Sequence, residues 1–182
     1  MTCVVGVVDK RKIFMGADSL GSDYYVQFTV PEPKVFRNGP FLIGIAGSFR
    51  WAQLLEHALD VPLQGDAEDD RRFMVVTFVD AVRKTMKRGG FMNTEDDQES
   101  TYGDALIGYR EKLYRMAGGD LQITQAAGYA AIGCGDSVAL GALHALRGVN
   151  PEVRLEAALR AAAEHVPGVR GPFHYISTGD VR

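Results

Sequence analysis

The chain opens on a β-rich apolar run, TCVVGVV (2–8), interrupted by polar Asp9-Lys10-Arg11 and followed by KIFMGAD (12–18). Two such runs around a polar turn predict a β-hairpin. YYVQFTV (24–30) predicts a third strand, stopped by Pro31 and Pro33, and KVFR (34–37) runs into the turn signal Asn38-Gly39-Pro40. FLIGIAG (41–47) is continuously apolar, so both its faces are expected to be buried. Ser48 then stands where an N-cap belongs, with Trp51, Leu54, Leu55, Ala58 and Leu59 at helical spacing behind it. A second helix is expected over 69–88, where Phe73, Val76, Val79, Val82 and Met86 mix core and surface. GGFMNTEDDQES (89–100) reads as a polar, acidic loop. DALIGYR and LYRMAGG, around Glu111-Lys112, predict another hairpin, and LQITQAA and YAAIG add strands. A third helix is expected after Gly135, capped by Asp136 and ended by Gly148. Asn150-Pro151 predicts the start of a fourth, with proline in its first turn. PGVRGP breaks it, and FHYIST is the last strand.

The order is strands, two helices, strands, two helices, strand. Two antiparallel sheets packed face to face, each covered outside by a helix pair, satisfy it, because each sheet's second face needs a cover. The expectation is an α+β, four-layer αββα sandwich over one domain, 1–182; a plainer α+β domain fits the same pattern. Neither a repeat nor a linker interrupts the 182 residues.

Composition narrows the function. Twenty basic and 23 acidic residues give a net charge of −3, without the basic footprint of a nucleic-acid binder. Arg83-Lys84 and Lys87-Arg88 fall at a helix end, where they complement the helix dipole. Two cysteines, Cys3 and Cys134, make no disulfide framework, and the four histidines show no zinc spacing. The N-terminus lacks the basic region of a signal peptide, and no apolar run approaches the length that crosses a bilayer, so a cytoplasmic location without membrane contact is expected.

Three residues point to chemistry. A threonine hydroxyl needs a base, and the α-amino group of the same residue can supply it, with an unperturbed pKa of about 7.7–8.0. Thr2 would become such a residue on loss of Met1. Asp18 closes the second strand of the hairpin that returns to Thr2, and Lys34 can come back beside both beyond the third strand. A nearby ammonium favours a deprotonated nucleophile, and a carboxylate holds that ammonium charged and aimed.

This constellation resembles the proteasome β-subunit and HslV family of N-terminal nucleophile hydrolases, over essentially the whole chain. Gly16-Ala17-Asp18-Ser19 looks like the family's G-x-D segment, and Lys34-Val35 like its K-[VI]. Ile43-Gly44-Ile45-Ala46-Gly47-Ser48 is similar to its buried strand ending in A-G-[GS], and Ala131-Ile132-Gly133-Cys134-Gly135 to its G-S-G segment. The resemblance implies Thr2 as nucleophile and base, Lys34 as electrostatic activator, Asp18 as its partner, and the Gly47 N–H as oxyanion donor. Ile45, Phe49 and Gln53 would line the pocket for the side chain before the cleaved bond (P1), the first two favouring an apolar one.

Two departures stand out. Cys134 occupies the serine position of G-S-G, and a thiol is a poorer donor and more oxidisable. The loop 165–172 lacks the aspartate and serine of eukaryotic and archaeal members, as HslV-like members lack that aspartate. In those members loop carbonyls hold a monovalent cation, here near Gly168 and Gly171; no other cofactor is required. The implied partners are a homo-oligomeric, stacked ring of like subunits with Trp51 and the segment Phe73 to Phe78 at its contacts, peptide or unfolded-protein substrates, and an ATP-dependent unfoldase. The unfoldase must be another chain, since Gly133-Cys134-Gly135 lacks the lysine of a phosphate loop. Two alternatives stay open: an inactive assembling homologue that retains Met1, and a small-amide acylase on the same fold.

Overall fold

In the computed structural model, residues 1–23, 25–95 and 98–179 are described. Strict alternation along the strands sets the layers. In β6 (Phe41–Gly47), Phe41, Ile43 and Ile45 point to one face and Leu42 to the other, and all are buried. β6 sits within a five-stranded antiparallel sheet, ordered β11 (Ile123–Gln125), β10 (Lys112–Met116), β9 (Gly103–Tyr109), β6 and β5 (Val35–Asn38). The second sheet runs β12 (Tyr129–Ile132), β1 (Val4–Asp9), β2 (Lys12–Ala17) and β13 (His174–Ser177).

Three apolar clusters correspond to the three interfaces of a four-layer sandwich. Between the sheets, Val4, Ile13 and Met15 meet Val35, Leu42, Leu106 and Leu113. The sheets approach so closely that a Cβ on Gly44 would press on Val4 Cγ1 at 2.5 Å. Outside the five-stranded sheet, Phe41, Ile43, Ile107 and Tyr109 pack under α1 (Phe49–His57) and a long helical run. That run is α2 (Asp70–Arg72), a π-helical stretch Phe73–Phe78, and α3 (Val79–Arg88). Outside the other sheet, Val5 and Val7 pack under α4 (Asp136–Ala145) and α5 (Pro151–His165) through Leu143, Leu155, Ala158 and Leu159. Each large apolar side chain so enclosed contributes about 1.5–3 kcal/mol. The αββα expectation therefore holds, as do the caps Ser48, whose side chain accepts from Arg50 N, and Asn150, which accepts from Glu152 N and Val153 N.

Four expectations are corrected. The strand expected at 24–30 shrinks to β4 (Gln27–Thr29), which pairs with β3 (Leu20–Ser22) in a hairpin of its own. The cause is Asp23, whose Oδ1 accepts from the backbone N–H of Tyr25 and Val26 and folds the chain into a turn. Tyr24 lies outside the described residues. The acidic loop at 89–100 contains a hairpin, β7 (Asn93–Glu95) with β8 (Gln98–Ser100). Charge rather than burial anchors it: Glu99 pairs with Arg83 and Lys87 of α3, which hold its carboxyl down at about 2. Asp96 and Asp97 lie outside the described residues. Asp136 is the first residue of α4 rather than its cap, a position held by Gly135 with no side-chain bond. Gly135 is tightly packed there, since a Cβ on it would meet Cys3 Cβ at 2.8 Å. Finally, Trp51, Phe73 and Phe78 are enclosed within the chain and offer nothing to a neighbour, leaving Val75 and Val76 as the exposed part of that stretch. No helix among the described residues is long and apolar enough to cross a membrane.

Candidate active site

The β1–β2 hairpin pairs Val4 with Ala17 and so sets Cys3 and Thr2 beside Asp18. Asp18 Oδ1 accepts from the backbone N–H of Cys3 at 2.9 Å, and Oδ2 from that of Leu20 at 2.9 Å. Lys34 enters from the segment before β5, fixed by its carbonyl accepting from Ile45 N at 2.9 Å. Its Nζ donates to Thr2 Oγ1 at 2.9 Å, Asp18 Oδ1 at 3.0 Å and the Leu20 carbonyl at 2.7 Å. All three ammonium hydrogens therefore have acceptors, which fixes the group in space. Burial is nearly complete, with 4% of Thr2, 7% of Lys34 and none of Asp18 exposed. Burial pushes the Lys34 ammonium below the ordinary lysine range, and the Asp18 carboxylate opposes that shift. A buried pair of this kind adds little stability against an apolar alternative; its effect is to hold one charge at one point.

The chain after β12 closes the other side. Gly133 takes a positive φ of 93°, and a Cβ there would collide with the Thr2 carbonyl. Gly135 N donates to that carbonyl at 3.3 Å. Cys134 Sγ lies 3.3 Å from Thr2 N, which donates to it, and 3.7 Å from the Gly168 carbonyl. Gly168 abuts this thiol, since a Cβ on it would meet Sγ at 2.7 Å and Met1 Cβ at 2.9 Å. Gly171 borders a hollow with Glu156, Arg160 and Tyr175. The loop is tied to the site by Ser19, which donates from its N–H to the Arg170 carbonyl and from Oγ to that of Pro172. With Met1 attached, Thr2 N is an amide and the Thr2 hydroxyl donates to the Met1 carbonyl.

Thr2 and Lys34 open on a cavity of about 570 Å³ that also takes in Gly47, Ile45, Phe49 and Gln53. Gly47 pairs with Gly103 at the end of β6, where a Cβ would come within 2.6 Å of Gly103 Cα. The structure thus gathers Thr2, Asp18, Lys34, Gly47, Cys134, Ile45, Phe49, Gln53 and Gly168 around one point. Sequence reasoning missed Glu32, Glu56 and His57, which line the same cavity. The signal for Glu56 was present: Phe49, Gln53 and Glu56 are spaced to share one helix face.

The two thiols differ sharply. Cys3 is buried, and burial pushes it up to about 12, whereas Cys134 is exposed. In the native protein iodoacetamide is expected to modify one thiol, mapped to Cys134 by peptide mass spectrometry, and two after denaturation. Preferential labelling of Cys3 would contradict this arrangement.

Compared with known proteins, the chain matches no protein-family model and no curated sequence. Solved structures do match. BPH from Thiobacillus denitrificans is 24% identical, with TM-score 0.79 over 97% of each chain. The same organism's BPH in complex with epoxomicin is 22% identical, with TM-score 0.78 over 97% of this chain and 98% of that one. Eukaryotic HslV from Trypanosoma brucei is 18% identical, with TM-score 0.70 over 97% of this chain and 98% of that one. The chain therefore shares the four-layer αββα fold of these proteins along its length.

Proposed function

We propose that the chain is a threonine-type endopeptidase acting through Thr2 once Met1 has been removed. The observation that carries this is the Lys34 ammonium, buried, 2.9 Å from Thr2 Oγ1 and 3.0 Å from Asp18, at the wall of a peptide-sized cavity. The freed amine of Thr2 takes the hydroxyl proton as Oγ1 attacks the substrate carbonyl. Lys34 stabilises the negative charge that builds on Oγ1. The backbone N–H of Gly47 donates to the oxyanion of the tetrahedral intermediate. That intermediate collapses to an ester on Thr2, and the amine returns its proton to the departing peptide nitrogen. Water, activated by the same amine, then releases the acyl group. Cys134 Sγ, beside the nitrogen, orients the amine. None of these steps requires a metal, a monovalent cation or another cofactor.

We further propose unfolded polypeptide as substrate, supplied by a separate ATP-dependent unfoldase, and a ring of like subunits in the cytoplasm. A second reading applies where Met1 is retained, because an amide nitrogen cannot act as base. That form is an inactive, assembling subunit.

Intact and native mass spectrometry, combined with an unfolded-protein digestion assay, test both. Loss of one methionine, a multiple of the 19.8 kDa subunit and digestion are expected. Methionine retained without digestion establishes the second reading. A monomer that digests protein overturns the ring.

A further inference from the structure

The cavity's charge goes beyond what the peptidase reading requires. Four of its lining side chains can carry charge: Glu32, Lys34, Glu56 and His57. Lys34 is already neutralised by Asp18 at 3.0 Å. Among the described residues Glu56 has one partner, the exposed His57 at 3.5 Å, which is a cation only when protonated. Glu32 makes no hydrogen bond or ion pair among the described residues. The cavity therefore presents carboxylates with no fixed counter-cation of its own.

Its lining combines apolar and anionic side chains. Ile45 and Phe49 supply the apolar part, the latter in the first turn of α1. Gln53 follows one turn on, and Glu56 nearly another. At 1.5 Å per residue, Glu56 lies about 10 Å along the helix from Phe49. Glu32, in the stiff Pro31-Glu32-Pro33 segment that leads into Lys34, lines the same cavity. A short apolar side chain would fill the first part and leave the carboxylates without a partner. A long side chain with an apolar stem and a cationic head would use both, its stem against Ile45 and Phe49 and its head among Gln53, Glu56 and Glu32.

We infer that the cavity selects peptides carrying arginine or lysine at P1, with Glu32 and Glu56 as the residues that set the preference. This rests on the proposed peptidase reading and revises the apolar P1 preference expected from Ile45 and Phe49 alone. An acidic P1 side chain is rejected by the same charges.

Fluorogenic peptides differing only at P1, as Arg, Leu or Asp, test the inference on protein whose Met1 loss has been verified. Arg is expected to exceed Leu about tenfold in kcat/KM, with Asp below both, and the advantage is expected to fall with added salt. In the Glu32→Gln, Glu56→Gln double variant the Arg-to-Leu ratio is expected to drop to about one. A Leu preference in the parent protein, or an Arg preference intact in the double variant, overturns the inference. Binding of uncleaved Arg and Leu peptides to the Thr2→Ala protein, read by fluorescence anisotropy, separates the two levels. Arg-selective binding without any hydrolysis by the parent protein sinks the peptidase reading and leaves the cavity's preference standing. Equal binding of both peptides sinks the preference whatever the hydrolysis shows.

Discussion

Thr2→Ala is expected to lower peptide hydrolysis by at least about 10⁴-fold, the scale on which loss of a nucleophile is felt. The structure predicts that the fold survives. Alanine keeps the backbone N–H that meets Cys134 and the carbonyl that accepts from Gly135. Lys34 loses one of three acceptors and keeps Asp18 Oδ1 and the Leu20 carbonyl, so the cost is about one hydrogen bond, roughly 0.5–1.5 kcal/mol. Thr2→Ser keeps the hydroxyl and is expected to retain measurable turnover. An N-terminal extension that cells cannot remove should abolish activity as completely as Thr2→Ala, because it converts the base into an amide. Turnover of the three proteins, with urea midpoints beside it, decides the matter. Wild-type turnover in the Thr2→Ala protein would end the assignment of Thr2.

The fold was legible where packing dictated the pattern. Phe41–Gly47 is buried on both faces and reads as a continuous apolar run; α1 and α5 announced themselves by Ser48 and by Asn150-Pro151. Legibility failed where local polar bonds or charge pairs decided the outcome. The β-rich composition of 24–30 gave no hint that the Asp23 carboxylate would gather two N–H groups and turn the chain. The β7–β8 hairpin carries little apolar surface, and its contact with Arg83 and Lys87 spans residues remote in sequence. The π-helical stretch has a helical pattern like any other, so a helix over 69–88 was foreseeable and its wider turn was not.

The candidate site divides in the same way. The placement of Asp18 beside Thr2 follows from hairpin register, which alternation and the Asp9-Lys10-Arg11 turn set locally. Lys34 was expected to return beside Thr2 beyond the third strand, whereas for Cys134 the resemblance to a known family, rather than periodicity, pointed to the site. Glu32 joins α1 residues in the cavity's lining only through the tertiary fold. Helical spacing could place Glu56 on the face of Phe49 and Gln53, but nothing local to Glu32 marks it as lining the same cavity.

Lys34→Ala and Asp18→Asn are each expected to lower kcat about 100-fold, the cost of one preorganised electrostatic group, and the double variant to lose less than the product of the two. The two substitutions should differ in stability. Lys34→Ala leaves Asp18 with its bonds from Cys3 N and Leu20 N, so the carboxylate stays paired with donors. Asp18→Asn turns an amide NH₂ towards groups that are all donors and strips the buried ammonium of its counter-charge, which costs about 3–5 kcal/mol. The pH dependence distinguishes the roles further. Burial already sets the Lys34 pKa below the ordinary 10.5, and the unfolded chain binds the proton more tightly. Between the folded and unfolded values the unfolded state holds more protons, so the lysine's own contribution to stability rises with pH across that window. Activity moves the other way, because deprotonation removes the cation beside Thr2 Oγ1. Since Asp18 is what opposes the effect of burial, Asp18→Asn should shift the alkaline limb of kcat/KM to lower pH, whereas Lys34→Ala should abolish that limb. An alkaline limb that stays in place in the Asp18→Asn protein, or losses from the two single variants that multiply strictly, would show that Asp18 and Lys34 do not act as one unit.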